Sequence, residues 1–381
     1  MPIMKKAAFS QNIIHPGNIP DFKVIPVRRW RNGIAVRMPN HLGDAVMAIP
    51  ALMQLKKIIP ENCALFVITP KSNAELYEAL PIVDAVIKLQ RPHAMWSCEE
   101  RKEIKQLRAG AIILFNHSPR DAFAARLTGI PEVYGAAKRG RSLLMTRALR
   151  FPHRTPGDPR CSHQTMRYLA ITSSLGAPQW NGELPEFQPP VSIPELDGEI
   201  AAICAHPRLL LLAAGAAYGA AKRWPEENFR AVAKFWIRHG GIVAVLGSPS
   251  ERGIGDNVCD TLPQNKCFNL CGKTGILALI HLFRSARYTV ANDSGLMHLG
   301  AILGTCGVVP FGPTDFTDTG PITENWKILS DGVPCAPCLK HSCPKAEKIC
   351  MLPLTAARII REVRRNCHIP FAPVPGKSRI C

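Results

Sequence analysis

An aspartate stands where a strand meets a helix early in the chain, a setting suited to proton transfer. The run Gly33–Met38 is predicted as a strand, and the turn that follows it ends in Gly43 and Asp44. Glycine lets the backbone approach a ligand, and the helix dipole favours an ionised carboxylate in the first turn. Such a carboxylate can remove the proton of an attacking hydroxyl group. Asp44 can equally serve only as a helix cap, because aspartate is a preferred N-cap residue.

Two loops in the second half have the composition of phosphate-contacting loops. The small-residue loop that starts at Gly215 leads to Lys222, and a cation there can offset charge that accumulates on a departing phosphate. Lys222 can also be solvated, as most lysines are. The loop 247–251 ends in Glu251, which can accept hydrogen bonds from sugar hydroxyls or occupy a first helical turn.

A third loop, from Asn292 to His298, links a predicted strand to a helix. Its helix start, with Ser294 and Gly295, offers backbone amides to an anion without any cationic side chain. Asp293 can cap the helix or hold a hydroxyl group, and a single histidine such as His298 is often only structural. The chain has no GxxxxGK[ST] and no GxGxxG after its early strands, which argues against a P-loop enzyme and a Rossmann dehydrogenase.

Elements that alternate along the chain must position these loops. Short aliphatic runs alternate with amphipathic segments, a pattern typical of βα units and parallel sheets. A polar, proline-rich passage over 179–199 interrupts the pattern and is predicted as a linker. We therefore predict an α/β protein with two doubly wound halves and a ligand cleft at the carboxyl ends of the strands. The predicted strands are Gly33–Met38, Ala64–Thr69, Ala85–Leu89, Ala111–Phe115, Leu209–Ala213, Ile242–Leu246, Tyr288–Ala291 and Gly307–Phe311, and the predicted helices include Asp44–Ile59, Cys98–Leu107 and one that opens with Pro225 as its first residue.

Length and charge narrow the class of protein. The 381 residues suffice for two domains, and residues 1–180 carry 26 basic and 12 acidic side chains of a chain whose net charge is +18. This half is expected to face an anionic partner. The longest uncharged stretch, Ser294–Thr314, contains seven glycines and prolines, which favours a buried helix, turn and strand over a membrane helix. The first residues lack the apolar core of a secretion signal, so a cytoplasmic protein is predicted.

Four motifs, taken together, resemble one family of transferases. They are Val36–Met47 (VRMPNHLGDAVM), Ala221–Pro225 (AKRWP), Asn292–His298 (NDSGLMH) and Phe311–Asp315 (FGPTD). Their order and approximate spacing are similar to those of the ADP-heptose:lipopolysaccharide heptosyltransferases, glycosyltransferase family 9, and most like the heptosyltransferase II branch. The likeness covers about residues 33–365.

The resemblance implies a GT-B architecture, in which two Rossmann-like domains face each other across a cleft. It also implies an inverting transfer of L-glycero-D-manno-heptose from ADP-heptose to the inner core of lipopolysaccharide, without an obligatory metal or other cofactor. The implied parts are an N-terminal extension (1–32), an acceptor-binding domain (33–180), a linker (181–205), a nucleotide-sugar-binding domain (206–355) and a C-terminal helix and tail (356–381).

Motif by motif, the resemblance implies roles for single residues. Asp44 becomes the general base, and Lys222 falls on the lysine that contacts phosphate. Glu251 falls on a glutamate that contacts sugar or ribose. The implied donor-binding loop contains Asp293, Ser294, Gly295 and His298. Some relatives have hydroxyl residues before the lysine where this chain has alanines, so phosphate contacts there must come from backbone amides.

The basic first half supplies candidates for contacting an acceptor that carries Kdo carboxylates and phosphates on an anionic membrane face. The candidates are Arg120, Lys138, Arg139 and Arg141. The same residues can simply form a solvated surface. No aromatic residues are interleaved with them, which argues against a nucleic-acid partner. The expectation is a cytoplasmic protein at the periphery of the inner membrane.

Four of the fourteen cysteines are closely spaced, namely Cys335, Cys338, Cys343 and Cys350. The first pair has the spacing of a zinc knuckle, but the usual second CxxC pair is missing. Packed reduced thiols, a structural metal and disulfides all remain open. A zinc-dependent nucleic-acid protein would bind metal and would bind DNA in a salt-sensitive manner.

Two further functions fit the resemblance. One is a related family 9 transferase that uses another nucleotide-sugar or another acceptor hydroxyl. The other is a non-catalytic binder of core glycolipid that has kept the fold. Binding without transfer would distinguish the second from an enzyme.

Overall fold

Two six-stranded parallel sheets, each flanked by helices, form the two lobes of the protein. The computed structural model describes residues 24–138, 140–149, 163–191, 193–196, 198–217, 219–345 and 349–368. The strands of the first lobe are β1 Gly33–Arg37, β2 Ala64–Pro70, β3 Ala85–Leu89, β4 Ala111–Leu114, β5 Glu132–Ala136 and β6 Arg147–Leu149. Those of the second lobe are β7 Leu209–Ala213, β8 Ile242–Val245, β9 Cys267–Asn269, β10 Tyr288–Ala291, β11 Gly307–Phe311 and β12 Trp326–Ser330. The helices are α1 Leu42–Met47, α2 Ile49–Lys56, α3 Ala74–Glu78, α4 Cys98–Gln106, α5 Pro119–Leu127, α6 Gln164–Ser173, α7 Glu199–Cys204, α8 Glu226–Arg238, α9 Arg252–Cys259, α10 Ile276–Ser285, α11 Gly295–Ile302, α12 Phe316–Thr319 and α13 Ala356–Cys367.

Both sheets have the strand order of a doubly wound fold. The first runs β3-β2-β1-β4-β5-β6, and the second has the equivalent order β9-β8-β7-β10-β11-β12. In each sheet the order reverses between the first and fourth strands, and the crevice at their carboxyl ends is where such sheets bind ligands. β1, β7 and β10 are buried along their whole length, as central parallel strands usually are. The expectation of two Rossmann-like lobes in a GT-B arrangement is confirmed.

The predicted elements agree closely with the observed ones, with two differences. Each predicted strand is present, and none differs by more than one residue at its carboxyl end. The single predicted helix Asp44–Ile59 is wrong: it divides at Ala48 into α1 and α2, because Pro50 in the first turn of α2 has no N–H to donate. Pro225 is the N-cap residue of α8 rather than its first helical residue.

The uncharged stretch Ser294–Thr314 forms α11, a turn and β11, as predicted. Within the described ranges, no helix combines the length and the apolar character needed to cross a membrane.

Segments outside the two sheets pack onto the lobes. The N–H of Ile25 donates to the carbonyl of Ser174 at 2.7 Å, so the described residues that precede β1 contact the first lobe. The predicted linker contains a helix, α7, whose Ile203 is buried. α13 places Ile359 and Val363 in the apolar core of the second lobe. α13 therefore completes the core of that lobe.

The lobes are joined by apolar packing and by a contact between a charge and a helix end. One continuous core cluster contains Ile34 of the first lobe and Leu211 of the second. Glu75 in α3 accepts hydrogen bonds from the N–H groups of Ile276 and Leu277, at 2.8 and 3.2 Å, which open α10 in the other lobe. A carboxylate at a helix N-terminus stabilises it by about 0.3–1 kcal/mol. Glu75 thus fastens the second lobe to the first.

Candidate active site

The turn that carries Asp44 and the loop Asn292–His298 meet where the two lobes are in contact. α1 follows β1, α11 follows β10, and the N-termini of the two helices abut. A Cβ atom placed on Gly295 would lie 3.2 Å from the backbone nitrogen of Gly43. One placed on Gly43 would lie 3.1 Å from Cδ2 of His298. Glycine at both positions therefore allows the two helix ends to come into contact.

Asp44 lies in the first turn of α1, beside this contact. The N-cap residue is His41, so Asp44 does not occupy the capping position that the sequence left open. Burial raises the pKa of the Asp44 carboxyl, while His41, Lys222 and Arg167 lower it. A carboxylate with a raised pKa is a stronger base than a solvated one. The influence of Lys222 also shows that the carboxylate of the first lobe and the cation of the second lobe lie in one electrostatic environment.

Lys222 is buried at the end of a short 3-10 segment, Ala220–Lys222. Its Nζ lies 2.7 Å from Oδ2 of Asp293, and the hydroxyl group of Thr314 donates to the same oxygen at 2.7 Å. The solvated alternative for Lys222 is therefore wrong. The ion pair orients the ammonium group between three loops, at the carboxyl ends of β7, β10 and β11.

Asn292 holds two of these loops together, a role that the sequence did not reveal. Its side-chain amide donates to the carbonyl of Ala214 at 2.6 Å, and its Oδ1 accepts from the N–H of Trp224 at 3.0 Å. Asn292 is fully buried. It thus fixes both ends of the loop that carries Lys222 against the end of β10. Its place at the start of the NDSGLMH motif is the only signal in the sequence.

Glu251 closes the loop after β8. Its Oε2 accepts hydrogen bonds from the N–H and the hydroxyl group of Ser248, at 2.8 and 2.9 Å. Oε1 lies so close to the loop after β7 that a Cβ on Gly215 would stand 2.1 Å away. Glu251 therefore occupies the helical turn that was one of its two alternatives, and its contact with a sugar hydroxyl stays a prediction.

Ser294 and His298 stand at the start of α11. Ser294 is the N-cap residue, and its buried hydroxyl group has no hydrogen-bond partner among the described residues. Burial lowers the pKa of His298 to about 4, although Asp293 raises it. His298 is therefore neutral near pH 7, so the groups of this loop that can bind an anion are the backbone amides at the start of α11.

A second neutral histidine, His163, connects the lobes and was missed in the sequence. Its Nδ1 accepts from the N–H of Thr165 at 3.1 Å, so Nε2 carries the proton and donates to the carbonyl of Gly320 at 3.0 Å. Burial lowers the pKa of His163 to about 4. The partner lies 157 residues away in the chain, which no local pattern indicates.

The two buried histidines predict a loss of stability in acid. Each titrates near 6.5 when unfolded and near 4 when folded, so between these pH values the unfolded chain binds more protons. The free energy of unfolding should fall as the pH drops from 6.5 to 4, by up to about 3 kcal/mol per histidine. Calorimetry at several pH values measures this decrease. His163→Gln should show a shallower dependence than the wild type, and equal slopes for His163→Gln and the wild type would contradict the assignment.

A buried ion pair supports the turn before Asp44. Arg37, the last residue of β1, pairs with Asp121 of α5 at 2.9 Å, and both side chains are almost fully buried. Another nitrogen of Arg37 donates to Oδ1 of Asn40 at 2.6 Å. Arg37 thus anchors the turn between β1 and α1 to the neighbouring helix.

The four basic candidates for the acceptor have different environments. Arg120, at the start of α5, and Lys138 are exposed. Arg139 lies outside the described residues. Arg141 is fully buried, and it donates to the carbonyls of Ala136 and Asn116 at 3.0 and 2.7 Å. The expectation that Arg141 contacts the acceptor is therefore corrected, because its guanidinium group holds the loop after β5 in place.

Two described parts of the cysteine segment, at His341 and at Cys350, lie against loops of the second lobe. The carbonyl of His341 accepts from the N–H of Ala221 at 3.0 Å. A Cβ on Gly312 would lie 2.9 Å from Sγ of Cys350. All twelve described cysteines are free thiols, and the described part of the chain holds no group of three or more potential metal ligands.

Together these features can serve one kind of reaction. The carboxylate of Asp44 on the first lobe lies within Coulombic range of Lys222 on the second, beside the contact between α1 and α11, so the site could hold an entering hydroxyl group and a departing anion together. A nucleotide-sugar has such an anionic leaving group.

Comparison of the sequence and the fold with known proteins identifies the family of this chain. Residues 100–349 match glycosyltransferase family 9 (heptosyltransferase). The chain is 27% identical over 341 residues to lipooligosaccharide heptosyltransferase 2 of Campylobacter jejuni, covering 87% of this chain and 98% of that protein. It is 25% identical over 312 residues to lipopolysaccharide heptosyltransferase 2 of Escherichia coli, with 78% and 87% covered. The structure of E. coli ADP-heptose lps heptosyltransferase II superimposes with a TM-score of 0.70 at 21% identity, covering 88% of this chain and 98% of that one. The chain belongs to glycosyltransferase family 9.

Proposed function

We propose that the protein is an inverting transferase that moves L-glycero-D-manno-heptose from ADP-heptose to the inner core of lipopolysaccharide. The observation that carries the proposal is the meeting of α1 and α11, which brings Asp44 of one lobe into the electrostatic reach of Lys222 of the other. The names of the relatives support the choice of donor and acceptor, since those proteins are heptosyltransferases acting on lipopolysaccharide or lipooligosaccharide.

In this proposal the first lobe binds the acceptor and the second lobe binds the nucleotide-sugar. Asp44 accepts the proton of the acceptor hydroxyl as its oxygen attacks the anomeric carbon. The bond from that carbon to the diphosphate breaks on the opposite face, which inverts the configuration. Lys222 and the amides of α11 stabilise the charge that develops on the departing ADP. Asp44 is held in the first turn of α1 and Lys222 by its ion pair with Asp293, so both substrates can be aligned before the reaction.

The donor is expected to contact the loops after β7, β8 and β10. Lys222 and the start of α11, with Ser294 and Gly295, face the diphosphate, and His298 donates or accepts one hydrogen bond as a neutral ring. Asp293 holds Lys222 in position through their ion pair. Glu251 contacts a ribose or sugar hydroxyl through the oxygen that faces the Lys222 loop.

The acceptor and the membrane are assigned to the first lobe. Arg120 and Lys138 are exposed near the carboxyl end of its sheet and suit the carboxylates and phosphates of the Kdo region. We assign the protein to the cytoplasm, at the periphery of the inner membrane. Free thiols at all twelve described cysteines agree with a reducing compartment.

The proposal is tested by mass spectrometry of a reaction with ADP-heptose and a Kdo-lipid acceptor that carries, or lacks, a first heptose. We expect one heptose to be added to the acceptor that already carries one. UDP- and GDP-sugars serve as competing donors. Transfer from one of them but not from ADP-heptose would identify a different family 9 transferase. Binding of both substrates without any product would instead indicate a glycolipid-binding protein.

A further inference from the structure

A basic cavity of about 760 Å³ opens at the amino-terminal end of the first sheet, opposite the loops that carry Asp44. Four cationic side chains line it, namely Arg31, Lys102, Lys105 and Arg108, and its described lining includes no acidic residue. All four are exposed, and none forms an ion pair with another described residue. The cavity therefore concentrates positive charge in a concave surface, which suits a phosphate-bearing ligand.

Two of these cations project from an unusual backbone. Arg31 and Arg108 have φ angles of 48° and 50°, in the left-handed region that residues other than glycine rarely adopt. The two segments are joined by an antiparallel bridge between Arg31 and Ala109. Left-handed residues of this kind persist where the surrounding structure fixes them, and they are concentrated at binding sites. Both arginines line the same cavity.

An exposed apolar strip leads to this cavity along α5. Phe123 and Leu127 are 44% and 52% exposed, and their spacing of four residues puts them on one face of the helix. Leu127 adjoins Thr128 in the cavity wall, while α5 begins beside the exposed Arg120. Leu143 is 95% exposed in the 3-10 segment that packs against α5. The strip thus runs over about 13 Å from the acceptor side of the lobe to the basic cavity.

We propose that this face lies on a membrane, with the cavity holding the phosphate of an anionic phospholipid and Phe123 and Leu127 inserted beside it. A soluble phosphate ligand explains the four cations but not the exposed aromatic and aliphatic side chains next to them. Apolar residues flanked by cations are the pattern of proteins that lie in the interface of a bilayer. The inference rests on the proposed function, whose acceptor is anchored in a membrane, and it assigns the surface that meets the lipid.

Co-sedimentation with vesicles tests the proposal. The full-length protein should bind vesicles that contain phosphatidylglycerol and phosphatidylcholine, and should bind pure phosphatidylcholine vesicles far more weakly. Each cation near an anionic membrane surface contributes a similar amount to the binding free energy. Lys102→Gln with Lys105→Gln should therefore lower the affinity for anionic vesicles about tenfold or more. Phe123→Ser with Leu127→Ser should also weaken binding. The matched control, Lys234→Gln with Arg238→Gln, neutralises two exposed cations of α8 in the other lobe and should leave binding unchanged.

Other outcomes overturn the proposal. Equal affinity for neutral and anionic vesicles, or full binding by the Lys102→Gln and Lys105→Gln variant, would contradict it. Tight binding of inorganic pyrophosphate in the absence of lipid, abolished by that variant while vesicle binding persists, would assign the cavity to a soluble anion. Transfer to a detergent-dispersed acceptor should survive in all these variants. Vesicle binding by a protein that shows no transfer would contradict the proposed function alone.

Discussion

Replacing Asp44 by asparagine is expected to lower the rate of heptose transfer by about a hundred- to ten-thousand-fold, the usual contribution of a general base. Asparagine has the same shape but cannot accept the proton of the attacking hydroxyl group. Since burial raises the pKa of Asp44, the wild-type rate should fall in acid above the pH at which a solvated aspartate titrates. The acid limb of kcat/KM assigned to Asp44 should be absent in the variant.

The loss should be confined to the chemical step. Calorimetric titration should give ADP affinities within a few-fold of each other for Asp44→Asn and the wild type, because Lys222 and the start of α11 are untouched. Asp260→Asn, a change at an exposed aspartate after α9, is the matched control and should leave transfer unchanged. Wild-type turnover by Asp44→Asn would remove this residue from the mechanism.

Lys222→Met is expected to weaken ADP binding and to slow transfer by about a hundred- to a thousand-fold, as loss of a group that stabilises charge in the transition state does. The same substitution should destabilise the protein, because it leaves the carboxylate of Asp293 buried without its cation. Breaking a buried pair in this way typically costs about 3–5 kcal/mol of unfolding free energy. Turnover and denaturant unfolding measure the two effects separately.

A double variant separates stability from catalysis. Lys222→Met with Asp293→Asn removes both charges of the pair. The side-chain carbonyl oxygen of asparagine can still accept a hydrogen bond from the hydroxyl group of Thr314. We expect this variant to regain most of the lost stability while transfer stays as slow as in Lys222→Met. Unchanged ADP affinity in the single variant would show that Lys222 only supports the loop.

The sequence predicted the strands well wherever they are continuous apolar runs. β7 and β10 were found with their predicted bounds because such runs are buried in the middle of a parallel sheet. β5 was not predicted, since it starts with Glu132 and contains Gly135. The carboxylate of Glu132 accepts hydrogen bonds from the N–H groups of Arg28 and Arg29, which lie more than a hundred residues earlier in the chain. A contact of that range leaves no trace in local composition.

The candidate site was predictable as a set of loops but not as a set of contacts. The motifs around Asp44 and Lys222 could be recognised from residue types and order. That Asp293 binds Lys222, and that Arg141 is buried, depends on neighbours that the fold brings together. A run of basic residues usually indicates a solvated surface. Arg141 is an exception, and only the structure shows the backbone carbonyls that accept its hydrogen bonds.

The contact between α1 and α11 limits how this region can change over evolutionary time. Gly43 and Gly295 have backbone angles that other residues also adopt, so neither lobe by itself requires glycine there. The opposing lobe favours glycine, because a Cβ atom on Gly43 would lie 3.1 Å from His298 and one on Gly295 would lie 3.1 Å from Cβ of Leu42. A substitution that meets no obstacle in one isolated lobe therefore requires the other lobe to shift by about a few tenths of an ångström. At this point the residues that each half of the chain accepts depend on the half that it contacts.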